Sequence, residues 1–102
     1  MLDIVLSNQF KKDLKLLSRR GYDINLLDYV VSKLADSVQL EERFKDHALT
    51  GNYSGFRECH IRPEWLLIYR INENELMLFL TRTASVTPEK STWHVDNGLV
   101  RL

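Results

Sequence analysis

Residues 65–83 read Trp65-Leu66-Leu67-Ile68-Tyr69-Arg70-Ile71, then Asn72-Glu73-Asn74, then Glu75-Leu76-Met77-Leu78-Phe79-Leu80-Thr81-Arg82-Thr83. The first run is apolar and aromatic, which favours a buried strand. The three residues after it favour a turn, and the last run again favours a strand. Upstream, Phe56 to Ile61 alternates roughly between apolar and polar residues, after a loop at residues 51–55. These segments predict an antiparallel run of three strands.

The first forty residues predict one strand and two helices. Residues 2–6 are apolar and β-branched, which is typical of a strand. Ser7 or Asn8 is placed to cap a helix that Gly21 ends. Asp23 or Asn25 begins a second helix with one apolar stripe, formed by Leu27, Val30, Val31, Leu34 and Val38. The predicted fold class is α+β, with an N-terminal strand and a helical hairpin packed on a small antiparallel sheet.

The overall composition narrows the class of protein. The chain has 102 residues, 44% hydrophobic and 27% charged, which predicts a single globular domain. The formal net charge is +0, so any contact with nucleic acid must use a local patch. The single Cys59 excludes an internal disulfide and fits a reducing compartment. No apolar run is long enough to span a membrane, and we therefore predict a cytoplasmic protein without membrane association.

Two histidines lie close to the predicted sheet, His47 in a loop and His60 in a strand. Histidine titrates near neutral pH and cations stabilise phosphate, so histidines flanked by Lys45, Arg57 and Arg62 are typical of RNA cleavage without a metal. If the strand alternates regularly, Glu58, His60 and Arg62 share one face. A salt bridge on a solvated sheet face accounts for the same pattern without catalysis.

The sequence does not favour a metal site or a reactive thiol. His47, Cys59 and His60 match no zinc spacing, and adjacent residues of a strand point to opposite faces. A cysteine nucleophile needs exposure and a basic partner, and the sequence indicates neither. We therefore expect a buried Cys59, no metal and no cofactor.

The first predicted helix carries a basic face that only Asp13 interrupts: Lys11, Lys12, Lys15, Arg19 and Arg20. Such a face is usually a solvated helix surface, but it can also lie against the phosphates of RNA. The aromatic residues Tyr53, Phe56, Trp65 and Tyr69 can stack on bases, although at such positions they are more often core.

Taken together, two motifs carry a family resemblance. The first motif is Lys45-Asp46-His47-x-Leu49-x-Gly51, and the second is Arg57-Glu58-x-His60-Ile61-x-Pro63-Glu64-Trp65-Leu66-Leu67-Ile68-Tyr69. In these motifs the chain resembles the YafQ branch of the RelE-type toxins of bacterial type II toxin–antitoxin systems. The two motifs are specific because they fix many unlike residues at set spacings. The resemblance implies a RelE-like toxin domain over residues 1–83, with residues 84–102 an atypical tail of the same single domain.

The resemblance also implies a function. Members of this family are ribosome-dependent endoribonucleases that enter the ribosomal A site and cut messenger RNA there. A paired antitoxin, in this branch commonly a ribbon-helix-helix protein, holds each toxin inactive. The complex also represses its own operon, so operator DNA is reached only through the antitoxin complex. The chain is thus expected to be an mRNA interferase that inhibits translation, with an antitoxin, the ribosome and mRNA as partners.

The resemblance further implies which residues act. His47, His60, Glu64 and Arg82 are the expected catalytic residues, with Glu64 standing where the family usually has aspartate. A base removes the proton from a ribose 2′-OH, an acid protonates the leaving 5′-oxygen, and Arg82 holds the phosphate. The sequence leaves open which group is the base and which the acid. Four other residues are expected to bind substrate: Lys45, Arg57, Arg62 and Trp65.

The tail departs from the family. After the arginine and threonine the family typically reads Gly-Ser-His, whereas this chain reads Ala84-Ser85-Val86. Valine neither carries a proton nor binds phosphate, so catalysis is expected to be impaired if that histidine is needed. The alternative is an attenuated toxin that binds its antitoxin, and the ribosome, and acts only in operon autoregulation.

The tail is also predicted to add two strand segments, Trp93–Val95 and Leu99–Leu102, joined by a turn at Asn97-Gly98.

Overall fold

The structure is a computed structural model that describes residues 1–83 and the backbone of residues 99–101. Within these described residues, two helices and six strands follow one another. They are β1 (Asp3–Ser7), α1 (Asn8–Arg19), α2 (Ile24–Ala35), β2 (His47–Ala48), β3 (Arg57–Arg62), β4 (Trp65–Asn72), β5 (Glu75–Thr83) and β6 (Leu99–Arg101). Short 3-10 turns at Glu42–Phe44 and Gly51–Tyr53 flank β2. The predicted α+β fold class is confirmed.

The strands form one sheet in the order β2-β3-β4-β5-β1-β6. β3, β4 and β5 run antiparallel, as predicted. β1 pairs with β5 in parallel, so the sheet is mixed rather than wholly antiparallel. The parallel pair arises because the helical hairpin carries the chain away from β1, and parallel neighbours need such a long crossover. β6 pairs antiparallel with β1, which confirms a strand after Gly98; Trp93–Val95 and the turn at Asn97 lie outside the described residues.

Both helices begin at the predicted caps. The Ser7 hydroxyl accepts a hydrogen bond from the Phe10 amide, and the Asp23 carboxylate accepts one from the Asn25 amide. The predicted stripe of α2 is buried from Leu27 to Leu34, but Val38 lies beyond the end of the helix and is exposed. Within the described residues, no helix is long and apolar enough to cross a membrane.

The sheet buries apolar side chains on both faces. The helices cover one face, where Trp65, Leu67 and Tyr69 pack in the larger cluster. Leu66 and Ile68 point the other way, into a smaller cluster that does not include residues of α1 or α2. Alternate residues of β4 therefore enter two different cores, which explains why the sequence of this strand is continuously apolar rather than alternating.

Candidate active site

His47, Glu58 and His60 meet on the sheet face that the helices leave open. β2 pairs with β3 so that His47 lies directly opposite Glu58, and Glu58 and His60 lie two residues apart on β3. The Nε2 atoms of His47 and His60 are 3.3 Å and 3.6 Å from the same Glu58 oxygen, Oε1. The two rings stack loosely, with centroids 6.5 Å apart. We call these three residues the histidine cluster.

The other nitrogen of each ring is held by the backbone. His47 Nδ1 is 2.7 Å from the Lys45 carbonyl oxygen, and His60 Nδ1 is 3.1 Å from that of Pro63. A carbonyl only accepts, so Nδ1 carries the proton in both rings. Each Nε2 is therefore the atom that can gain or lose a proton, and both point to one carboxylate oxygen.

Exposure is graded across the histidine cluster. The Glu58 side chain is 8% exposed, that of His60 24% and that of His47 47%. A buried carboxylate lies beneath two partly exposed imidazoles, which is a geometry suited to proton transfer with a bound ligand. The salt bridge considered for this face joins Glu58 to both histidines, and its carboxylate is buried while the imidazoles remain partly exposed.

Arg82 lies on the same row of the sheet as His60. His60 pairs with Leu66 across β3 and β4, and Leu66 pairs with Arg82 across β4 and β5. Directly paired residues share a face, and neighbouring strands are about 4.8 Å apart. The structure thus brings the predicted catalytic arginine onto the face of the histidine cluster, two strands from His60.

Asp13 of α1 holds Arg82 in place. Its Oδ2 atom is 3.5 Å from Arg82 Nε and accepts a hydrogen bond of 3.1 Å from the Thr81 amide, while Gln9 donates to Oδ1 at 2.8 Å. The pairing of β1 with β5 ends near Ser7, so the edge amide of Thr81 needs another acceptor, and the helix supplies it. Burial raises the pKa of Asp13 and outweighs the lowering effect of Gln9 and Arg82.

Trp65 does not offer a surface for stacking on a base. It is fully buried on the helix face, where its indole Nε1–H donates to Thr81 Oγ1 at 2.8 Å and its ring meets Tyr22 edge-on at 5.2 Å. The substrate-binding role expected of Trp65 is therefore at odds with its position. The indole instead supports the strand segment that ends in Arg82.

Lys45 and Arg57 belong to the support of His47. Tyr69 donates its hydroxyl hydrogen bond to Asp46 Oδ1, and Arg57 Nε lies 3.3 Å from that oxygen and 3.3 Å from the Tyr69 hydroxyl. Burial and the neighbouring Asp46 raise the pKa of Tyr69, so the phenol remains a donor. Lys45 has a left-handed backbone (φ 48°) and turns the chain into His47. The Arg57 charge is thus partly committed to Asp46.

Arg62 and Glu64 follow His60 but differ in placement. A β-bulge between His60 and Arg62 breaks the alternation of β3. Arg62 lines a separate cavity of about 420 Å³ with Asp23 and Arg43 on the helix side, so it does not share the face of Glu58 and His60 as expected. Glu64 is exposed in the turn between β3 and β4, next to the Pro63 carbonyl that holds His60.

Two carboxylates that contact the predicted site residues, Glu58 and Asp13, are not among the residues that the sequence predicted for the site. Glu58 was seen as a partner of His60, but its contact with His47 depends on the two-residue β2, which no pattern indicates. Asp13 was considered only as an interruption of a basic face.

Cys59 is fully buried, as predicted, and burial raises the pKa of its thiol. In residues 1–83 no group of three or more histidine, cysteine or acidic side chains is arranged to hold a metal ion. Val86 lies outside the described residues.

Comparison with known proteins places this geometry in a family. The family model described as "Bacterial toxin of type II toxin-antitoxin system, YafQ" matches residues 2–87. The mRNA interferase toxin YafQ of Escherichia coli K12 is 38% identical over 82 residues, which is 79% of this chain and 89% of that protein.

Two solved structures have the same fold. The metal-bound toxin from Helicobacter pylori superposes with a TM-score of 0.78 at 45% identity, covering 83% of this chain and 97% of that one. The toxin of the E. coli DinJ–YafQ toxin–antitoxin complex superposes with a TM-score of 0.75 at 36% identity, covering 82% and 93%. The motifs, the fold and these relatives agree: the chain belongs to the YafQ family of toxins of bacterial type II toxin–antitoxin systems.

Proposed function

We propose that this chain is a ribosome-dependent mRNA endonuclease that cuts by transesterification and so inhibits translation. The observation that carries the proposal is the histidine cluster, in which two imidazole Nε2 atoms approach one buried carboxylate oxygen. The E. coli relative is named an mRNA interferase toxin, which supports the substrate class.

The cluster supplies both proton transfers of the reaction. When the two Nε2 atoms hold one proton between them, one ring is a neutral base and the other a protonated acid. The base takes the proton of the ribose 2′-OH as the 2′-oxygen bonds to phosphorus. The P–O5′ bond breaks, the acid protonates the 5′-oxygen, and a 2′,3′-cyclic phosphate remains. Ionised Glu58 accepts a hydrogen bond from whichever Nε2 is protonated.

Arg82 neutralises the phosphate in this mechanism. Its Nε faces Asp13, which leaves the outer edge of the guanidinium for the two non-bridging oxygens that gain charge in the transition state. Glu64, in the exposed turn beside His60, is a second carboxylate close enough along the chain to assist a proton transfer. We place both residues in the site on this basis.

We further propose that cleavage needs no metal and that an antitoxin controls it. The imidazoles and Arg82 supply every charge that the transesterification requires. The E. coli relative forms a complex with DinJ, which supports an antitoxin partner for this chain. A ribbon-helix-helix antitoxin, operator contact through the complex and a cytoplasmic location are further expectations from the family.

Messages with a single modified nucleotide test the proposed reaction. In a purified translation system, the chain should cut an unmodified message and leave uncut a message with a 2′-deoxy nucleotide on the 5′ side of the cleaved bond. In a second test, the protein is exchanged into buffer with a chelator, and only the Mg²⁺ that ribosomes need is restored. This treatment should not reduce the rate of message cleavage. Equal cutting of the deoxy message would exclude transesterification, and recovery only on adding a transition metal would exclude metal independence.

Val86 favours a second candidate function. If the histidine that the family carries at this position is indispensable, the chain binds an antitoxin and the ribosome without cutting. A Val86→His variant that cuts while the unmodified chain does not would establish this attenuated toxin.

A further inference from the structure

A second cavity adjoins the row of the histidine cluster. It has a volume of about 330 Å³ and lies between the C-terminal half of α1 and the end of β5. Its lining includes Asp13, Leu16, Arg20 and Arg82. Residues 13 and 16 lie on one stripe of α1, and Arg20 follows on the same side as the C-cap, four residues after Leu16. Volumes of roughly 300–1,000 Å³ are usual for sites that hold a small organic group.

The cavity combines a free cation with an apolar surface. Arg20 is exposed and, within residues 1–83, takes part in no ion pair. Asp13 is already engaged by Arg82 and the Thr81 amide, so it does not neutralise Arg20. Leu16 is 44% exposed and gives the cavity lining an accessible apolar surface. A phosphate with an attached apolar ring system complements this lining.

Arg82 connects this cavity to the histidine cluster. It lines the cavity and also occupies the row that runs through Leu66 to His60. An RNA strand whose reacting phosphate lies between His60 and Arg82 continues past Arg82 into the space beside Arg20. We infer that this cavity is a subsite for the nucleotide next to the cleaved bond, with Arg20 on its phosphate and Leu16 against its base or sugar. The inference rests on the proposed function.

Cleavage of programmed ribosomes tests the subsite. The kcat/KM of the unmodified chain is compared with those of Arg20→Ala, Leu16→Asn and the control Arg19→Ala, which removes an equal charge from the same helix outside the cavity lining. Each protein is tested on an unmodified message and on messages with an abasic nucleotide one position 5′ or 3′ of the cleaved bond. Thermal melting confirms that the variants fold.

We expect Arg20→Ala to lower kcat/KM about tenfold, since a hydrogen bond to a charged group is lost, and Arg19→Ala to change it little. On one of the two sides, the abasic nucleotide should lower the kcat/KM of the unmodified chain about fivefold. On the same side it should hardly change the kcat/KM of Leu16→Asn. An equal abasic penalty in every protein would overturn the subsite, as would equal losses for Arg19→Ala and Arg20→Ala. If the unmodified chain does not cut any message, the proposed function fails and the subsite with it.

Discussion

At the scale of single residues, Glu58 defines the chemistry of the site. Its buried carboxylate faces the Nε2 atoms of both His47 and His60, whose Nδ1 protons are fixed by backbone carbonyls. A carboxylate in this position favours one orientation for both rings, and in the proposed reaction an Nε2 atom exchanges its contact with Glu58 for one with the substrate as the proton is transferred. In the proposed mechanism, the Glu58 side chain acts through the histidines and is a positioning residue.

Replacing Glu58 by glutamine tests that role. Glutamine fills the same space, but its amide oxygen is neutral and accepts a weaker hydrogen bond from a protonated imidazole than a carboxylate does. We expect kcat for message cleavage to fall about 10²-fold, because general acid–base help is worth about 10²–10⁴-fold. The pH–rate profile should also change shape, while the melting temperature moves little. An unchanged pH profile with a lower melting temperature would show that Glu58 is only structural.

A Trp65→Phe variant separates packing from base stacking. Phenylalanine keeps an aromatic ring but loses the hydrogen bond to Thr81 Oγ1. We expect the free energy of unfolding, measured in urea, to fall by about 1–3 kcal/mol, from the lost hydrogen bond and the smaller side chain. The cleavage rate of the folded fraction should stay close to that of the unmodified chain. A large loss of rate with unchanged stability would contradict a buried structural role.

At the scale of elements, the helices and long strands were predictable and the short pieces were not. The capping residues Ser7 and Asp23 and the apolar run of β4 are local signals. They placed α1 and the β4–β5 hairpin within a residue or two, whereas α2 ends three residues before the predicted Val38. The two-residue β2 and the bulge before Arg62 depend on tertiary pairing, which a single sequence does not encode locally. These two features decide which residues join the histidine cluster.

The contact between α1 and β5 gives a pH-dependent prediction. The pKa of Asp13 in the folded chain lies above the ordinary value of 3.8 because the group is buried. The native state therefore keeps this proton where the unfolded chain has lost it, so the stabilising contribution is present below pH 3.8 and is lost as the pH rises through the raised pKa. Asp13→Asn should remove this contribution.

Urea unfolding at several pH values measures the effect. Relative to Asp13→Asn, the free energy of unfolding of the unmodified chain should decline as the pH rises from about 4 towards neutrality. The amide oxygen of asparagine can still accept from Thr81, so the variant should fold. A difference between the two proteins that stays constant with pH, or increases as the pH rises, would show that the pairing with Arg82 outweighs burial.

At the scale of the whole molecule, the site is assembled from distant parts of the chain. β2 and β3 supply the histidine cluster, β5 supplies Arg82, and α1 supplies the carboxylate that holds it. The family resemblance predicted roles for His47, His60 and Arg82, and the structure brings these residues onto one face of the sheet. Physical reasoning from the sequence alone did not find Asp13 and left open whether Trp65 is core or a stacking surface, because burial depends on the final packing of helices against the sheet.

We propose that this histidine cluster cuts messenger RNA on the ribosome. The decisive test is primer extension on a message translated in a purified ribosome system with the unmodified chain, His60→Ala and Val86→His. We predict discrete cuts with the unmodified chain, none with His60→Ala, and no requirement for a histidine at position 86. Equal cutting by His60→Ala would contradict the claim, and so would cutting by Val86→His alone.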